Sequence, residues 1–116
     1  MSDSYKPFTI AAGDTLPALE VQLVDEDGTN PDITGLTVTF GMYDTPGGTS
    51  VSLSGSVDIT ADPTHGKAQF NWASDDTSGA GAGQFFGQFK VDDGSGGIKR
   101  YPNGSYIPVK ITAAVV

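Results

Sequence analysis

The chain has 116 residues and 12.0 kDa, with 14 acidic against 6 basic residues, a formal net charge of −8, 16 Gly, 7 Pro and no Cys. This is the size of one domain, residues 1–116, with a core of its own, and it excludes disulfides, thiolate nucleophiles and cysteine metal sites. The acid excess disfavours nucleic acid, because phosphate binding needs clustered Lys and Arg. No apolar run approaches the roughly 20 residues of a membrane span, so no membrane partner is expected.

The opening MSDSYKPFTI has no basic region followed by an apolar run, so the expectation is a protein without a secretory signal, made in a cytoplasm. The spacing predicts a first strand over 5–10, with Pro7 marking an edge or a kink. Leu19, Val21 and Leu23 alternate with Glu20, Gln22 and Val24 in a second strand that ends at a strong turn signal, Asp27-Gly28. Leu36, Val38, Phe40 and Met42 alternate with Thr37, Thr39, Gly41 and Tyr43 in a third, followed by a turn over 44–50. Val51, Leu53, Val57 and Ile59 keep one parity with Gly55 between them, which reads as one long strand or two short ones broken or bulged at the glycine.

Residues 66–91 form the centre of the pattern. Ala68, Phe70 and Trp72 share one face of a strand; Phe85, Gly87, Phe89 and Val91 share one face of the next. A polar, glycine-rich segment joins them and reads as a flexible crossover between sheets. Trp72, Phe85 and Phe89 are the expected core, with Gly87 leaving room for an aromatic ring. A hairpin tip at 92–97 leads to a return strand from Ile98, and Ile107, Val109 and Ile111 alternate with Tyr106, Pro108 and Lys110 in the last strand. Pro108 has no amide hydrogen, so its nitrogen must face away from a paired neighbour, and with Pro7 it is taken to mark a sheet edge. The tally, about seven to nine short strands, predicts an all-β, immunoglobulin-like antiparallel β-sandwich without a disulfide.

Little in the inventory carries chemistry. His65 is the only histidine and sits in a Pro-Thr-His-Gly turn, with no spacing that nominates a nucleophile and an orienting carboxylate. Residues 25–32 place oxygens at alternate positions as part of a calcium loop does, but the distal bidentate Glu is missing and Pro31 interrupts, so a solvated hairpin loop is the plainer reading. The run Ser78-Gly79-Ala80-Gly81-Ala82-Gly83 precedes a strand rather than a helix and has no Lys, which fails the requirements of a phosphate loop. Twelve of the acids are Asp, a turn former, so the acidity reflects many turns. No catalytic residue, metal ligand or cofactor is expected, and the chain reads as no enzyme.

The turns and core residues nevertheless form a familiar succession. Gly13-Asp14-Thr15-Leu16-Pro17, the Asp27-Gly28 turn, Ile33-Thr34-Gly35 before Thr37-Val38-Thr39-Phe40, and Gly66 to Trp72 followed by Asp76-Thr77 and Gly83-x-Phe85 are similar to one known pattern. It is that of the N-terminal immunoglobulin-like domain of phage baseplate upper proteins and of related small β-sandwich proteins of phage virions. Tyr101-Pro102-Asn103 and Tyr106-Ile107-Pro108-Val109 fit its end. Members of this kind often carry Tyr where this chain has Phe85, so the hydroxyl that ties down the crossover is missing at that position. The sequence ends directly after the sandwich pattern, so the resemblance implies a freestanding domain.

What the resemblance implies is a non-enzymatic bacteriophage structural protein of the virion: a small capsid decoration or head–tail accessory protein docking on a repeating lattice. Its partners would be major capsid, neck or tail proteins, with self-association a further option. A baseplate or tail adaptor domain and a carbohydrate or cell-surface binding module are the alternatives. Phe86 falls on the Gln84, Gln88, Lys90 row, where solvent is expected, and Tyr43 and Tyr106 stand likewise in their own strands. With Tyr5, Phe8 and Pro108 they form the candidate protein interface.

Overall fold

Period-two patterning puts one row of each strand against a partner sheet, and the chain folds accordingly. The structure, a computed structural model, describes residues 7–44 and 51–115. Its strands are β1 (Phe8–Ala11), β2 (Leu19–Gln22), β3 (Thr37–Tyr43), β4 (Val51–Ser56), β5 (Lys67–Phe70), β6 (Gly83–Asp92), β7 (Ile98–Tyr101) and β8 (Ile107–Thr112). One sheet runs β1-β8-β6-β3-β4, with β7 pairing the far half of β6, and β2 and β5 form the second. This is the all-β sandwich that the alternation predicts, and the eight strands among the described residues fall within the expected seven to nine. Every strand pair is antiparallel except β1 with β8, which run parallel through Phe8↔Val109 and Ile10↔Ile111.

The two prolines divide. Pro7 immediately precedes β1, which is an edge strand, as expected. Pro108 does not mark an edge, because β8 lies between β1 and β6. It is tolerated inside the sheet because it pairs Phe86 on one side while the β1 ladder begins only at Val109 on the other. A residue without N–H fits a non-hydrogen-bonded antiparallel pair, with its nitrogen turned from β6.

Residues 51–59 are neither one strand nor two broken at Gly55. β4 keeps its pairing with β3 to Thr39↔Ser56, with Gly55 opposite Phe40. A Cβ on Gly55 would stand 3.0 Å from Cε1 of Phe70, so the glycine lets the second sheet's ring lie against this strand. The chain then changes sheets. The amide of Val57 still donates to Val38 O at 3.1 Å, while Asp58 and Gln69 exchange two backbone bonds of 2.9 Å.

The core lies between the sheets. Phe40, Met42, Phe89, Ile107 and Val109 are fully buried on the larger sheet, and Leu19, Ala68 and Phe70 face them from the smaller. Phe40 is boxed by Phe70 and Phe89, each 5.0 Å away between ring centroids, and by the edge of Trp72 at 6.0 Å. Trp72 itself is 5% exposed, and its indole N–H has no hydrogen-bond acceptor among the described residues, so its side chain is held by packing. A Cβ on Gly87 would stand 2.7 Å from Cε1 of Phe40, so the room expected at Gly87 is filled by that ring.

The crossover between β5 and β6 does pass from sheet to sheet, but it is not merely a flexible loop. It contains the helix α1 (Ser74–Ala80). Asp75 and Asp76 stand in its first turn, where carboxylates suit the exposed N–H groups. Asp76 also reaches back to accept the Ala73 N–H at 2.7 Å. No apolar period announces this helix: over Ser74 to Gly79 only Thr77 is buried. Thr77 supplies the tie that Phe85 cannot: the Gly13 amide donates to its Oγ1 at 2.8 Å, and the hydroxyl donates to Asp14 O at 3.2 Å.

Candidate functional site

Strand register decides which outward side chains become neighbours. On β6 the even positions point away from the core, and Phe86 among them pairs Tyr43 of β3 on one side and Pro108 of β8 on the other. Tyr106, just before β8, meets Phe86 edge-to-face with centroids 6.1 Å apart. Four of the six candidate residues, dispersed over 43–108 in the sequence, thus form one row across three strands. All four are half-buried. Phe8 is not on this row. It turns inward at the sheet edge and stacks on Trp72, with rings 5.7 Å apart and 13° from parallel. Tyr5 lies outside the described residues.

Beside the row the face becomes polar and basic. Lys90 of β6 pairs Arg100 of β7 directly across the strands, and Lys110 of β8 pairs Gln84. A hollow of about 200 Å³ opens at Gly41, bordered by Thr39, Tyr43, Gln88, Lys90 and Arg100. The amide of Gln88 donates to Pro102 O at 2.9 Å, which fixes one wall. Sequence reasoning missed Lys90 and Arg100 as a site. Their outward parity was visible, but their company with Gly41 needs β3 and β7 on opposite sides of β6.

The other candidates resolve into structure. The loop over 25–32 spends its carboxylates on protein groups. Lys99 Nζ donates to Glu26 at 2.7 Å and approaches Asp25 at 3.3 Å, while the Tyr101 hydroxyl donates to Asp25 at 2.8 Å. Asn103 donates to the second Glu26 oxygen at 2.9 Å. The lysine's hydrogen bond holds the Glu26 carboxyl below its ordinary range. Asp27 and Asp32 each accept from the hydroxyl and amide of the threonine two residues on, and Asp58 does the same with Thr60. Those bonds lower the pKa of all three and confirm the acids as turn formers. His65 lies 3.0 Å from Asp62 in the 3₁₀ turn Pro63–His65 with its side chain 68% exposed. Among the described residues, the only hydroxyl bonded to its ring is that of Thr64 in the same turn, at 3.4 Å. Among the described residues no group of three or more His, Asp or Glu gathers as a metal would require.

A two-sheet all-β sandwich with an aromatic and basic outer face defines the class of protein. No protein-family model matches the sequence, and no curated protein matches it. Among solved structures, the chain is similar to the N-terminal domain of ORF48 of phage TP901-1, with a TM-score of 0.57 at 14% identity over 97% of this chain and 90% of that one. CopC from Methylosinus trichosporium OB3b aligns with a TM-score of 0.48 at 11% identity over 93% and 85%. The first likeness shows a fold shared with a phage protein domain.

Proposed function

We propose that this chain is a non-enzymatic structural domain of a bacteriophage virion, a capsid decoration or head–tail accessory protein, that docks on a repeating lattice of capsid, neck or tail protein. The observation that carries this reading is the row of Tyr43, Phe86, Pro108 and Tyr106 on the outer face of the larger sheet. Sheet faces turned to water ordinarily alternate to polar residues, whereas interface cores are enriched in aromatic side chains. The fold likeness to a phage domain supports the setting. Weak single contacts suffice on a lattice, because repetition supplies avidity.

The test is Phe86→Ala in the virion. The variant should fold normally, since Phe86 is outside the core, and should lose occupancy on the particle by quantitative gel analysis of purified virions. Full occupancy with an intact fold would reject the proposal. Immunogold labelling of the bound protein then separates head, neck and baseplate, and so decides between decoration and a tail adaptor.

A further inference from the structure

Three of the six basic residues of this acidic chain, Lys90, Arg100 and Lys110, stand on the same outer face of the larger sheet. Lys90 and Arg100 are directly opposite one another in an antiparallel pair, an arrangement that costs stability because like charges face across about 5 Å. By contrast, Lys99 has both Asp25 and Glu26, while Lys67 forms no ion pair among the described residues. No carboxylate among the described residues forms an ion pair with Lys90, Arg100 or Lys110. Asp92, the acid of the same β6 row, turns its carboxylate to the Gly94 amide at 2.8 Å. Next to the cation pair, the missing side chain at Gly41 leaves the hollow of about 200 Å³.

We infer that this face receives an acidic protein surface, with a carboxylate seated at the hollow that Gly41, Lys90 and Arg100 line. The inference rests on the docking role proposed above and adds the partner's charge. An isolated unpaired cation needs no partner, but two placed side by side next to a cavity give a carboxylate a fork of donors. The adjoining aromatic row supplies the dry part of such an interface and the cations its selective rim. Nucleic acid does not fit, because a phosphate chain needs a long basic track and the chain carries only 6 basic against 14 acidic residues.

The probe is acetyl-hexaglutamate amide, titrated into the ¹⁵N-labelled full chain and followed by amide chemical shifts. The expected result is saturable shifts at Gly41, Gln88, Lys90 and Arg100 that weaken with added salt. Lys90→Gln with Arg100→Gln should weaken binding about tenfold, and both positions are at the surface, so folding is retained. Loss of particle occupancy by Phe86→Ala together with absent hexaglutamate shifts would overturn this inference and leave the docking role standing, so the two readings fail separately. Absent shifts, shifts centred on Lys67 or Lys99, or full binding by the double variant would overturn the inference. Inorganic phosphate giving the same shifts at equal concentration would overturn it too, by showing a site that reads charge alone.

Discussion

Gly87→Ala adds a single methyl group, and the structure states where it must go. The new Cβ would lie 2.7 Å from Cε1 and 2.8 Å from Cζ of Phe40, and 3.4 Å from Cγ2 of Val109. Carbon atoms pack best about 3.5–4.0 Å apart, so the ring would have to retreat by close to an ångström. It has nowhere to go: Phe40 is fully buried, with Phe70 and Phe89 both 5.0 Å away between centroids. Overpacking of this kind costs about 1–3 kcal/mol. Against it, an alanine restricts the unfolded chain and returns about 0.4–1 kcal/mol. The net expectation is a loss of about 1–2 kcal/mol, seen as a fall of roughly 4–8 °C in the melting midpoint for a domain of this size. Trp72, 6.0 Å from Phe40 and the only tryptophan, reports the transition by fluorescence in heat and in urea. Adding Phe40→Leu should restore part of the stability, so that the double variant is more stable than the two single losses predict. A Gly87→Ala protein as stable as the parent would refute the packing argument.

Thr77→Val keeps the shape of the side chain but leaves the Gly13 amide without its 2.8 Å acceptor, at a cost of about 1–2 kcal/mol. Hydrogen exchange should quicken at Gly13 and through α1 while the β6 core stays protected; unchanged exchange at Gly13 would show that the hydroxyl is not the tie. Tyr101→Phe should cost about 1 kcal/mol through the lost bond to Asp25, and Asp25→Asn should cost little more when added to it. Acid should destabilise the fold. Glu26, lowered chiefly by the Lys99 hydrogen bond, and Asp27, Asp32, Asp58 and Asp62, lowered chiefly by Thr29, Thr34, Thr60 and His65, hold fewer protons folded than unfolded. Their contribution is fully present above the ordinary carboxylate pKa of about 4 and disappears as pH falls through their lowered folded values. Melting midpoints should therefore be level from neutral pH down to about 5 and fall below about 4; a midpoint that rose on acidification would contradict this.

Residue order by itself determined which side chains of each strand go inward. Phe85, Gly87, Phe89 and Val91 read as one row before any fold is known, because a strand's faces alternate at every residue and need no partner to do so. The same local rule marked Phe86 as facing outward and the Asp-rich segments as turns. It was blind to α1, which is held by one buried hydroxyl rather than by an apolar stripe. It also misplaced Pro108, since a strand's position in a sheet depends on pairings with residues far away in the chain. Only tertiary structure set Phe86 between Tyr43 and Pro108 and brought Lys90 and Arg100 to the hollow at Gly41. Those neighbours are chosen by long-range register, which no short window of sequence contains.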